Sequence, residues 1–288
     1  MPPPVFLYPF ISRKGMVTMH MTDKCSWWNG FRAVAGLSAR QVFDGNLFQV
    51  LGEYVARFMQ FLMLTLIWRS LAKGGADLGG MTLDQLLTYT LMASVLRQQL
   101  EILTPATSAL WEGSIIGRYT RPMPVLQSLT AETIGRWWLP VLFMYSLPVW
   151  LLSPLMGIHP LPYSAARGLL ALASLALSAS LGFALDFLFA SLAMRMKNGC
   201  WAVTRVREAL FELLSGALIP FSLMPIPIAK VLQLLPMGSI AHAPLTLYVG
   251  QGDPVALIAL QVGWNVVLWP LARYVFKKSE ERMISYGG

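Results

Sequence analysis

Residues Thr104 to Pro122 read TPATSALWEGSIIGRYTRP, a polar, glycine-punctuated interval set between two long apolar segments. Apolar segments of this kind have the length, roughly 20 residues, that carries a helix across a bilayer. The interval between them is then the part of a membrane protein that reaches into the cytosol and meets a partner. Everything else in the chain is read relative to it.

Composition fits that setting. Apolar residues are 56% of the 288 and charged residues only 12%, outside the range of soluble domains. A chain of this length holds about six spans with short connections and leaves little for a soluble domain. The net charge of +8 does not point to nucleic acid, because the basic residues stand in short groups between apolar runs rather than in a stripe interleaved with aromatics. Cys25 and Cys200 are far apart and, on the topology below, both cytosolic, so neither a disulfide nor a CxxC metal site is expected.

Residues 1–25 read as a disordered or cytosolic tail, with Met16 and Met19 as alternative starts. Residues 26–45 place Trp27, Trp28, Phe31, Val34 and Leu37 at helical spacing with Arg32 and Arg40 placed to meet headgroups, which predicts an amphipathic helix lying in the interface. The six-span permease domain is 46–276, followed by a cytosolic tail at 277–288. Its spans are expected at about Val50–Trp68, Leu86–Leu100, Trp137–Leu152, Ala165–Met194, Trp201–Ile219 and Pro254–Tyr274. Pro140 and Pro148 are tolerable inside the third, because neighbouring groups can satisfy the freed carbonyls. Met224 to Pro236 is apolar but too short to cross, which predicts a re-entrant hairpin on the outer side.

With the N-terminus inside, seventeen of the 22 Lys and Arg residues fall on cytosolic segments, four fall outside (Arg69, Lys73, Arg167, Lys230), and Arg57 lies within a span. That asymmetry sets both termini in the cytosol. Chemistry of its own is not legible in the chain. There is no Gly-Lys dipeptide, hence no phosphate-cradling loop, no HExxH and no GxSxG, and His20, His159 and His242 are scattered. No catalytic residue and no metal site is expected.

The intramembrane charges are one-sided. Glu53, Arg57, Asp186, Arg205, Arg207, Glu208 and Glu212 nearly all fall in the cytosolic half, which points to a vestibule open to the cytosol or inner leaflet and closed outside by apolar side chains, with Glu53, Arg57, Asp186, Glu208 and Glu212 as its candidate cavity residues. Mutual pairing of these residues is the alternative. For Glu53 and Arg57, four apart on one helical face, pairing is the default.

Gly113-Ser-Ile115-Ile-Gly117-Arg118-Tyr119-Thr-Arg121-Pro122, followed far downstream by Gly216, Pro220, Pro225, Pro236, Pro244 and Gly250, resembles the permease subunits of type-two ATP-binding-cassette exporters, in the six-span branch with a separately encoded ATPase. The resemblance runs from about Trp28 to the end. It implies that Trp111, Gly113, Ile115, Gly117, Arg118, Tyr119, Arg121 and Pro122 form a coupling helix docked on a cytosolic ATPase. It also implies that Gly216, Pro220, Pro225 and Pro236 shape the outer hairpin, and that the N-terminal amphipathic helix is the connecting helix. Partners implied are two ATPase subunits, which bind the ATP and Mg, a second permease subunit, identical or related, and membrane lipid. The expected fold is all-α, the expected site the inner (plasma) membrane, and the expected function export of an amphipathic small molecule, lipid or peptide. A proton-coupled secondary transporter using Asp186 or Glu212, and a non-transporting scaffold, stay open as alternatives.

Overall fold

The computed structural model describes residues 24–41, 47–119, 123–193 and 200–285. Arg121, Pro122, the 1–23 tail and the basic 195–199 loop of the sequence reading lie outside these residues. Among those described, the chain is helical with no strand. Its elements are α1 (Lys24–Gln41), α2 (Leu47–Lys73), α3 (Leu83–Val95), α4 (Arg97–Leu100), α5 (Ala106–Trp111), α6 (Val125–Met156), α7 (Ala165–Ala193), α8 (Cys200–Leu214), α9 (Ile226–Leu234), α10 (Pro236–Tyr248) and α11 (Pro254–Ser285).

Among the described residues four helices are long and apolar enough to cross a membrane: most of α2 (Leu51–Lys73), α6, α7 and α11 up to Glu281. The second and fifth expected spans are shorter than their apolar runs. At 13 and 15 residues, α3 and α8 reach only about 20 and 22 Å at 1.5 Å per residue, against a hydrocarbon core of about 30 Å. The local reasons are visible. At Leu96 the backbone leaves the helix (φ −94°, ψ 3°), and beyond α8 Gly216 takes a left-handed φ of 76° that helical residues avoid. Helix α6 runs through Pro140 and Pro148 by widening into π turns at Ile134–Trp138 and Leu142–Ser146.

Helix α7 is the axis of the fold, packed along its length by α11 and α10. Its small residues Ala171, Ser174, Ser178, Gly182, Ala184 and Ala190 are buried and let neighbours come close, as in many membrane helix pairs. A β-carbon on Gly182 would stand 2.8 Å from the Ile102 side chain. Beside them Trp138, Phe183, Phe187, Trp269 and Phe276 form a continuous aromatic run with ring centroids 5.6–6.3 Å apart. Polar atoms at this depth need internal partners. Gln261 of α11 supplies them, accepting from Ser174 Oγ at 2.9 Å and donating to Ser178 Oγ at 2.9 Å and to the Ser239 carbonyl at 2.8 Å, which ties α7, α10 and α11 together.

Helix α1 packs across the start of α6. The contact is backbone to backbone: a β-carbon on Gly135 would fall 2.0 Å from the Ala35 carbonyl oxygen. Gly135→Val is therefore expected to release α1 and to cost at least the ~1–3 kcal/mol typical of overpacking. Limited proteolysis of membrane vesicles checks this, and α1 as protected as in the wild type would show that it is held elsewhere.

Candidate functional site

At one end of the bundle α2, α4, the 103–108 segment, α6 and α8 surround a wide cleft of about 950 Å3. Four of the five residues assigned from sequence to a vestibule line it: Glu53 and Arg57 from α2, Glu208 and Glu212 from α8. Opposite charges face one another throughout. Arg97 binds Glu212 at 2.5 Å and Glu101 at 3.3 Å, Arg205 binds Glu208 at 3.0 Å, and Arg57 lies 4.0 Å from Glu53. Trp137 and Trp201 give the wall flat apolar surface, and Arg136 lies over the Trp137 ring at 5.4 Å. Burial pushes the Glu101 carboxyl above the usual carboxylate range, with Arg97 opposing the shift.

The cleft narrows inward to a neck shared by Arg57, Gln60, Arg97 and Glu212, beyond which a small cavity of about 40 Å3 is walled mainly by Phe61, Leu64, Ala93, Phe211, Ala217 and Leu218, with Thr90 and Ser94, whose hydroxyls are hydrogen-bonded elsewhere, also in its wall. A polar mouth thus gives way to an apolar end. The cleft also takes in Gln60, Arg97, Gln98, Glu101 and Arg136, which the sequence pattern does not assign to it, and Arg205, which it places among the one-sided charges. One signal is present in the sequence: Arg97 and Glu101 repeat, in reverse order, the four-residue spacing of Glu53 and Arg57.

Asp186 is not in the cleft wall. It is buried behind it, where Oδ1 accepts from Arg207 Nη1 at 3.1 Å and Oδ2 accepts from the Thr104 amide at 3.0 Å and the Thr104 hydroxyl at 2.5 Å. Arg207 also donates to the Ile102 carbonyl. One carboxylate therefore joins α7, α8 and the first residue of the 104–122 interval.

That interval is a short helix, α5, a turn, and a 3-10 turn at Ser114–Arg118. The turn depends on Gly113, whose φ of 71° is left-handed. By contrast a β-carbon on Gly117 would meet nothing within 4 Å. Ile115 is fully buried in this chain's own core, whereas Ile116 and Tyr119 are exposed, at 45% and 47%. Arg118 binds Glu132 of α6 at 2.7 Å. Tyr119 hydrogen-bonds the Glu280 carboxylate near the end of α11, and burial, with that carboxylate, pushes its phenol pKa up. The interval is thus braced at three points: on α7 through Thr104, on α6 through Arg118 and on α11 through Tyr119. The side chain of Trp111 lies outside what the structure describes.

The segment that carries Gly216, Pro220, Pro225 and Pro236 packs around Phe221, which is fully buried in a cluster with Ala229 and Leu232. A β-carbon on Gly216 would stand 3.0 Å from the Phe221 ring, and the ring lies 4.7 Å from that of His242. Pro220 and Pro225 stand immediately before the Phe221–Leu223 turn and α9, and Pro236 opens α10. The hairpin is larger than the sequence indicated. After Leu235, extended at ψ 149°, the chain continues as α10, every residue of which from Met237 to Leu247 is buried.

Among the described residues no three His, Cys, Asp or Glu side chains converge as a metal site. Among the described residues an all-helical bundle with four apolar helices long enough to cross a bilayer, a charged cleft and a braced polar interval beside it mark a multi-pass membrane protein. The family model for ABC-2 family transporter proteins matches residues 54–287, and the chain belongs to that family. No curated protein matches the chain.

Proposed function

We propose that the chain is the membrane subunit of an ATP-driven exporter, moving an amphipathic small molecule, lipid or peptide outward from the cytosol or inner leaflet. The carrying observation is the adjacency of the charged cleft and the braced 104–119 interval, linked through Thr104 and Asp186. A push on the interval by a partner acts on α6, α7 and α11 at once, and so on the helices that wall the cleft. The chain has no nucleotide-binding loop, so ATP and Mg are bound by a partner ATPase, in two copies for a pair of permease subunits, identical or related. Transport is driven by the difference in partner binding between inward-open and outward-open states.

On this reading the cleft end faces the cytosol, six segments build the bundle with α3 and α8 as its shorter members, and both termini are cytosolic in the inner (plasma) membrane. Single cysteines at the exposed positions Gly75 and His159 are expected to react with an impermeant maleimide from outside, and one at Ser108 only after permeabilisation. The inverse pattern would turn the cleft outward. The functional test is co-purification of the tagged chain with a soluble ATPase, together with transport in inverted vesicles. Uptake that needs ATP and survives collapse of the proton gradient supports the reading; uptake that needs only the proton gradient refutes it.

A further inference from the structure

We propose that the neck of the cleft is an anion-binding subsite, in which Arg57 takes the phosphate or carboxylate head of an amphipathic substrate and the Phe61–Phe211 cavity receives the apolar carbons next to it. The inference rests on the permease reading and names the substrate class of that same cleft.

Glu101 and Glu212 are both committed to Arg97, at 3.3 and 2.5 Å, and Glu208 to Arg205 at 3.0 Å. At the neck a cationic ligand would have to take Glu212 from Arg97, while the loosely paired Glu53 lines the wide cleft and not the small cavity. Arg57 is in the opposite position. Its Nη2 donates to a neutral acceptor, Gln98 Oε1, at 2.9 Å, and its Nη1 is buried without a hydrogen-bond partner. Glu53, the carboxylate beside it, stands at the 4.0 Å limit of an ion pair, with its side chain 48% exposed against 22% for Arg57.

A guanidinium at bilayer depth with a free donor edge is costly unless an anion meets it. Its planar fork matches phosphate and carboxylate oxygens better than any neutral group. Arg57 also lines both the cleft and the small cavity beyond, so a head bound there has Phe61, Leu64, Phe211 and Leu218 directly inward of it. A space of about 40 Å3 admits only a short apolar stretch. The site therefore selects a charged head with carbon attached, not a free ion.

The test is equilibrium binding of radiolabelled probes to the full chain in nanodiscs of neutral lipid, with empty discs subtracted. Decyl phosphate and decanoate are expected to bind saturably and at least about tenfold more tightly than decyltrimethylammonium, the size of one charge-assisted hydrogen bond. Inorganic phosphate is expected to bind at least about tenfold more weakly than decyl phosphate, since it lacks the apolar contact. Arg57→Gln should remove most of the anion preference, and Arg57→Lys should keep part of it. Leu218→Trp, which fills the small cavity, should weaken decyl phosphate and leave inorganic phosphate unchanged. A cationic probe bound as tightly as the anionic ones would overturn the proposal in the wild-type chain alone, whatever the folding of the variants. So would anion binding untouched by Arg57→Gln, or inorganic phosphate bound as tightly as decyl phosphate. Anion selectivity without ATP-dependent transport would instead keep the subsite and remove the permease reading.

Discussion

Asp186→Ala is expected to destabilise the purified chain by about 3–5 kcal/mol, the cost of leaving one member of a buried ion pair alone. The carboxylate accepts three hydrogen bonds, two from Thr104 and one from Arg207. Arg207 is 6% exposed, and its Nε and Nη2 already lack partners, so no water-facing rearrangement rescues it. Arg207→Ala should cost a comparable amount, because it strands the carboxylate. Replacing both, Asp186→Leu with Arg207→Met, should be much milder than the sum, since a packed apolar pair carries no desolvation penalty. Unfolding in graded sodium dodecyl sulfate, read as a double-mutant cycle, measures this. Additive losses would show that the two residues do not act as a pair. The double variant then separates stability from function: a stable chain that no longer transports assigns Asp186 to transmission from Thr104, and one that transports normally leaves it a structural role.

Ile116→Glu is expected to abolish association with the partner ATPase while the chain inserts and folds normally. Ile116 is exposed on a projection braced by Arg118–Glu132 and Tyr119–Glu280, so it presents apolar surface outward, and a carboxylate there would be buried unpaired against the partner. Interface anchors of this kind commonly cost about 2 kcal/mol or more when lost, roughly a thirtyfold weakening. Ile115→Glu would be a poor substitute, because Ile115 is fully buried within the chain and its loss would unfold the projection itself. The two adjacent isoleucines thus separate the effects. Pull-down from solubilised membranes should lose the ATPase with Ile116→Glu at unchanged permease yield, whereas Ile115→Glu should lower the yield. Full recovery of ATPase and transport with Ile116→Glu would move the docking surface elsewhere. Gly113→Ala should give an intermediate loss, since an L side chain at φ 71° is strained by about 1 kcal/mol or more.

How far the sequence reached varies from residue to residue. Glu53, Arg57, Glu208 and Glu212 were legible as one cleft because bilayer-depth charges are rare and these share one half of the spans. Asp186 has the same signature and a different place. Its partner Arg207 and its donor Thr104 come from other segments, and nothing in a linear pattern says which side of α7 meets them. Likewise the turn at Gly113 rather than Gly117 is a matter of backbone angle, and two glycines four apart look alike on paper.

By itself the sequence determined the solvent of the fold, the positions of the spanning helices α2, α6, α7 and α11, the absence of a nucleotide loop and the interval that projects. It could do so because hydropathy, proline and charge act locally, over the length of one helix. Only the tertiary structure decided where α3 and α8 end, that the chain after Leu235 continues as α10, buried from Met237 to Leu247, that Asp186 anchors Thr104, and that Ile116 rather than Ile115 is exposed. Each of those depends on which faces meet across 80 or more residues of chain or on how one turn is wound. Hydrogen-bond satisfaction and close packing in an apolar medium settle such choices among segments that are individually compatible with several.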